Sequence, residues 1–146
     1  MTSGDLTQEL ARELAQVGPG NHLCLVHETP AEQRAAVSPY VKGALARGER
    51  FVYLADARTG DEVARALEAA GVPVADAIRR GALVIESARD AYLRGGSFDP
   101  HAMLEMLRAL VDAALADGHA GVAITGEMSW ALGPEPGNDR LVEYEA

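Results

Sequence analysis

The chain is 146 residues long, the length of one ordinary domain, and it is 48% hydrophobic and 24% charged, enough to bury a core and too apolar for global disorder. Its 13 basic residues face 22 acidic ones, a formal charge of -9 with Lys42 the only lysine, which excludes a basic phosphate-backbone binder and a polybasic membrane-surface domain. The single cysteine, Cys24, excludes an intrachain disulfide and a four-cysteine zinc site, and no apolar stretch reaches the ~20 residues that span a bilayer.

Residues 3–17 of the N-terminal segment 1–17 read as an amphipathic helix, with Leu6, Leu10, Leu14 and Val17 at three- and four-residue spacing. Gly18-Pro19-Gly20 ends it. His22 to Val26 is a compact apolar run and reads as a buried strand. Thr29-Pro30-Ala31-Glu32 then supplies an N-cap hydroxyl, a proline at the first helical position and a Glu three residues after the cap. Val37, Val41, Ala44 and Leu45 mark the inner face of that helix, which Gly48 closes. Phe51 to Ala55 reads as a second strand, and Thr59 to Glu62 as a second capping box ahead of the stripe Val63, Ala66, Leu67 and Ala70. A short helix over 73–80 and a third strand over 82–85 follow. Asp99-Pro100 opens a long helix with Met103, Leu107, Leu110, Val111 and Ala114 on one face. A fourth strand covers 121–125, and Asn138 is placed to cap a final helix that the last residues cut short, as in a truncated chain.

Short, continuously apolar strands alternating with helices predict a single α/β domain over 1–146. The expected fold has three layers: a mostly parallel sheet of at least four strands with helices on both faces. In such sheets ligands bind beyond the carboxyl ends of the strands, near a reversal of strand order. Four segments leave those ends, carrying His27, Glu28 and Thr29; Asp56, Arg58 and Thr59; Glu86, Arg89, Tyr92 and Arg94; and Glu127, Met128, Ser129 and Trp130.

The first strand-to-helix turn is not a phosphate loop. It holds no glycine and no lysine, its proline lacks an N–H, and Glu28 and Glu32 would repel phosphate. A dinucleotide fingerprint and a Gly-x-Ser-x-Gly elbow are likewise absent from the sequence, so no catalytic residue and no cofactor is assigned. His22 and Cys24 share one strand face and are candidate metal or haem ligands, against the commoner reading of a core cysteine beside a strand-start histidine. The most informative stretch is Glu127 to Trp130, where the only tryptophan follows a strand end beside a carboxylate and a thioether. Those side chains suit a mostly apolar pocket with one orienting charge, and equally a tryptophan that packs the chain end onto the sheet.

Several blocks together resemble a known family. Asn21-His22-Leu23-Cys24-Leu25, the stretch from Gly48 to Asp56, Ala91 to Gly96 with Phe98-Asp99-Pro100, and Thr125 to Ala131 look like the MEDS domain, the methanogen/methylotroph sensory domain of prokaryotic signalling proteins. The resemblance implies a non-enzymatic sensor of small hydrocarbon derivatives, as in repressors that respond to dichloromethane. It also implies partners such as DNA-binding, histidine-kinase or anti-sigma kinase-like modules. The layout is similar to a RecA/KaiC-type core that has lost its phosphate loop, with Glu127 where a metal-linked acid would fall.

The leading expectation is thus a cytoplasmic sensory domain for a small organic ligand, with Glu28, Asp56, Arg58, Tyr92, Glu127, Met128 and Trp130 at the binding rim. Its candidate protein partners are a second copy or a signalling protein, with no direct nucleic-acid or membrane contact. The alternatives are a protein-interaction module, docking through the early helix on an anti-sigma or kinase partner, and a haem or metal sensor through His22 and Cys24. A degenerate nucleotide-binding domain is the remaining reading.

Overall fold

A computed structural model describes residues 3–146, apart from the side chains at 3, 4 and 6, so the expected inward placing of Leu6 lies outside the described residues. The helices are α1 (Ser3–Ala15), α2 (Pro30–Ala46), α3 (Gly60–Ala69), α4 (Val74–Arg79), α5 (Ala88–Tyr92), α6 (Pro100–Ala116) and α7 (Leu141–Glu145). The strands are β1 (Arg50–Ala55), β2 (Leu83–Ser87) and β3 (Val122–Gly126).

Local chemistry explains the helix starts. Thr29 Oγ1 accepts the Glu32 N–H at 3.2 Å while Glu32 Oε2 accepts the Thr29 N–H at 3.3 Å, and Thr59 and Glu62 repeat this reciprocal cap at 3.3 and 2.8 Å. Asp99 Oδ1 accepts the His101 N–H at 3.0 Å ahead of Pro100. Asn138, by contrast, does not cap α7. A 3-10 turn over Asn138–Arg140 intervenes, and the Asn138 amide instead donates to the carbonyls of Ala131 at 3.2 Å and Gly133 at 2.8 Å. The N-terminal helix also stops at Ala15, two residues earlier than the leucine spacing predicts.

Among the described residues the sheet has three parallel strands in the order β2-β1-β3, not the four or more expected. The missing one is His22–Val26, which has no sheet partner and leaves Leu23, Leu25 and Val26 at 60%, 41% and 89% exposure. An apolar run of five residues meets the strand pattern but does not supply a partner, and pairing is decided by tertiary context. Here residues 16–29 lead from the carboxyl end of α2, where Arg47 donates to Ala15 O, to its N-cap Thr29, and His22 meets Glu145 of α7 on the way. Gly43 allows the close approach of α1, because a Cβ there would stand 2.5 Å from Ala15 O.

The strand periodicity sorts the core into two layers. Phe51, Tyr53 and Ala55 meet Val41 and Ala44 of α2, Val63 and Leu67 of α3 and Val74 and Ala77 of α4. Val52 and Leu54 meet Ala88, Ala91 and Tyr92 of α5, Met103 of α6, Phe98 and Trp130. Both faces of β1 are covered, and each fully buried Phe, Val or Leu there contributes about 1.5–3 kcal/mol. α6 is less buried than its stripe predicts: Met103 and Ala114 are inside, but Val111 is 38% exposed beside Leu104 and Leu115. A three-stranded sheet is too narrow to cover the whole helix.

This winding fixes where a site can form. The chain leaves β1 toward α3 on one face and leaves β3 toward Trp130 on the other, although β1 and β3 are neighbours. Their carboxyl ends therefore flank the switch point of the sheet, the usual crevice for a ligand in an open α/β fold.

Candidate functional site at the switch point

One side chain occupies the crevice. Glu127, the first residue past β3, is 8% exposed, and its own N–H donates to Leu54 O, continuing the ladder by one step. Glu127 Oε2 accepts the backbone N–H groups of Asp56 at 2.7 Å and Ala57 at 2.8 Å, just beyond β1. Glu127 Oε1 accepts the Tyr53 hydroxyl at 2.9 Å, and more loosely Gln33 Nε2 at 3.4 Å and Arg58 at 3.5 Å. A buried carboxylate is tolerable only with such donors around it. Burial together with the Glu127 charge holds the Tyr53 phenol well above its ordinary range.

Arg58 closes the cluster, donating to Gln33 Oε1 and to the Tyr53 oxygen, both at 3.0 Å. Its Nε is buried and meets no acceptor among the described residues. Asp56 turns its carboxylate the other way: Oδ1 accepts from Arg89 Nε at 2.9 Å and Oδ2 from the Ser129 hydroxyl at 2.6 Å. Arg89 also donates to Glu135 Oε1 at 2.5 Å, so β1, α5 and the segment after β3 are tied across the rim.

The structure thus brings Asp56, Arg58 and Glu127 together. The other expected rim residues lie apart from them. Glu28 is exposed before α2, its N–H given to Glu32 Oε2. Tyr92 and Trp130 sit on the far face of the sheet in an aromatic cluster, ring centroids 4.9 Å apart, with Phe98 and Tyr144 beside them and Met128 packed against it. Trp130 is 0% exposed there, which is the packing reading of that residue. Burial raises the Tyr92 phenol pKa, and the neighbouring Tyr144 and Glu145 raise it further.

Tyr53 and Gln33 were not legible as site residues. A signal existed for Tyr53, since a tyrosine inside a doubly buried strand needs a partner for its hydroxyl. Gln33 carried none beyond its place in the first turn of a capped helix.

His22 Nε2 lies 3.1 Å from Glu145 Oε2, and Cys24 is exposed. Among the described residues no three His, Cys, Asp or Glu side chains come together as a metal site, and no helix is long and apolar enough to cross a membrane.

Chemically, the arrangement is an acceptor centre with a rigid half and a loose half. Two backbone donors and one phenol fix the carboxylate at 2.7–2.9 Å, while the side chains of α2 and the β1–α3 loop reach it at 3.4–3.5 Å. The chain matches the family model MEDS, described as the methanogen/methylotroph, DcmR sensory domain, over residues 21–146. No curated protein and no solved structure matches it.

Proposed function

The chain belongs to the MEDS family of sensory domains, which is not a known catalytic family, and from that premise we propose that it senses a small, mostly apolar molecule at the carboxyl rim of the sheet. The observation that carries this reading is the unequal hold on Glu127. A ligand with one hydrogen-bonding group replaces the weak Gln33 or Arg58 contact far more readily than the backbone pair from Asp56 and Ala57. Losing the Gln33 contact frees the first turn of α2, and that displacement is the signal.

Asp56, Arg58 and Glu127 supply polarity and orientation in this reading. Met128, Trp130 and Tyr92, packed on the far face of the sheet, back the rim rather than line it, and Glu28 stands exposed before α2. The test is a titration with small neutral organics, short halocarbons and alcohols among them, followed by melting temperature and by the emission of Trp130, the only tryptophan. A saturable shift that Arg58→Gln or Gln33→Ala weakens supports the reading. A panel that moves neither signal sinks it.

A partner-docking role is favoured by one separate observation. Leu104, Val111 and Leu115 form an exposed stripe along α6 at i, i+7 and i+11. Co-purification of a stoichiometric signalling partner, lost in Leu104→Glu, is its test.

A further inference from the structure

A shallow groove lies away from the rim. It is an open groove of about 670 Å³ between α1, α2 and α3, within the size range of small-molecule sites. Its shape follows from the sequence: α2 turns Ala35, Ser38 and Pro39 toward Ala66, Ala69 and Ala70 of α3, and such short side chains leave the space between two helices unfilled. Pro39 also lacks an N–H, so it cannot donate to the Ala35 carbonyl one turn earlier.

The charge around this groove is opposite to that of the chain. Arg34, Lys42 and Arg65 border it, no Asp or Glu lines it among the described residues, and the chain as a whole carries -9. Arg34 and Lys42 stand two turns apart on α2, roughly 12 Å along the axis, with Arg65 facing them from α3. Among the described residues no ion pair includes any of the three. Arg65 donates only its Nε, to Asp61 O at 3.3 Å, which leaves its terminal nitrogens for a ligand. Nearby Glu62 is engaged in the Thr59 cap.

A second observation sits at the inner wall. A recess of about 10 Å³, room for roughly one water-sized atom, shares Arg34, Ser38 and Ala66 with the groove and reaches Tyr53 and Arg58. Arg58 Nε is the buried donor without an acceptor among the described residues. This N–H can donate to a single small acceptor atom in the recess, at the inner wall of the cation-bordered groove.

We propose that this groove is a binding site for a small organic carboxylate. The charged head is held by Arg34, Lys42 and Arg65, and the short apolar body lies on the alanine floor. The charged residues Arg34, Lys42 and Arg65 are not part of the rim cluster, so the site stands whether or not the rim takes the signal molecule, although the recess behind the groove reaches Arg58 of that cluster.

The experiment is calorimetric titration of the whole chain with benzoate and hexanoate, against benzamide and hexanamide as uncharged matches. The acids should bind saturably and the amides at least tenfold more weakly. Lys42→Gln and Arg65→Gln, both exposed and away from the rim cluster, should each weaken the acids by about five- to tenfold. Their melting temperatures without added acid should stay unchanged. Ala69→Leu, which fills the groove, should abolish binding while leaving the fold intact. Equal binding of acid and amide, affinity that survives both charge removals, or no binding of either acid overturns the proposal.

Discussion

The backbone N–H of Asp56 donates to Glu127 Oε2 at 2.7 Å, so the residue just past β1 and the residue just past β3 are joined through the carboxylate that fills the crevice between them. The side chain of Asp56 faces away from Glu127, toward Arg89 and Ser129. Two carboxylates therefore share a sheet end without sharing donors. Each strand end is locked by a group from a different element, which makes the rim a single mechanical unit.

Removing that lock should be costly. Glu127→Ala leaves the Asp56 and Ala57 N–H groups and the Tyr53 hydroxyl without their acceptor, and a loss of about 3–5 kcal/mol is expected. Glu127→Gln keeps the volume and one acceptor oxygen and should lose about 1–2 kcal/mol. Urea unfolding measures both. A Glu127→Ala loss within about 0.5 kcal/mol of zero would mean that β1 and β3 are held by packing alone.

Alkaline pH should expose the buried phenols. Tyr53 is raised above its ordinary 10.0 by burial and by the Glu127 charge, and Tyr92 by burial and its Tyr144 and Glu145 neighbours. A group whose folded pKa is raised contributes stability that is complete below its unfolded value and lost as pH climbs toward the folded one. The melting temperature should therefore fall from about pH 10 upward. Tyr53→Phe should start lower at neutral pH, having lost the bond to Glu127, and decline less steeply above about pH 10. Parallel curves for the two proteins would show that Tyr53 does not titrate this way.

The acid limb has the opposite sign. Asp117 is lowered by its 2.6 Å hydrogen bond to Arg50, Asp76 by Arg80, and Glu62 by the Thr59 cap. Stability from a depressed carboxylate is present above its unfolded value and lost as pH falls through the folded one. Stability should begin to fall as pH enters the ordinary carboxylate range and go on falling below it, and the acid midpoint should move to higher pH in Arg50→Gln. A midpoint unmoved by that substitution contradicts the pairing.

The described edge of β3 is open, and amide exchange should report it. Arg50 N donates to Gly121 O and Glu127 N to Leu54 O, so the odd residues of this stretch face β1 and Val122, Ile124 and Gly126 turn their backbone groups outward. Ile124 O meets the Tyr40 hydroxyl at 3.4 Å. The amides of His22–Val26 should exchange near the unprotected rate, and those of Phe51–Ala55 slowest of all. Strong protection over His22–Val26 would show a paired strand instead. Val26→Lys, at an 89% exposed site, should change stability by less than about 0.5 kcal/mol.

The sequence carried local decisions well and partnerships poorly. Thr29 and Thr59 announce their helices because a capping box is complete within four residues. The inward strand Phe51–Ala55 is legible because it is apolar at every position. Asp56, Arg58 and Glu127 could be placed on one rim because parallel strands end on one side. Nothing local told Trp130 to turn to the far face, since that depends on which way the chain leaves β3. Nor could His22–Val26 reveal that its pattern, though strand-like, finds no partner in the sheet.

Gly126 and Tyr92 should be energetically coupled. A Cβ at Gly126 would lie 2.5 Å from the Tyr92 hydroxyl oxygen and 3.3 Å from the ring carbon that bears it, so Gly126→Ala forces the ring to move. An overpacked core site typically loses about 1–3 kcal/mol, and a loss of that size is expected. Tyr92→Phe alone deprives the buried ring of its polar end and should lose roughly 0.5–1.5 kcal/mol. It also removes the oxygen that the added methyl group would strike, so the double variant should be less destabilised than the sum by about 1 kcal/mol. The Trp130 ring, centred 4.9 Å from that of Tyr92 and 0% exposed, reports the displacement directly. Its emission should shift to the red in Gly126→Ala and return toward the native position in the double variant. Additive unfolding energies with an unmoved emission maximum would place the strain of the Gly126→Ala variant somewhere other than Tyr92.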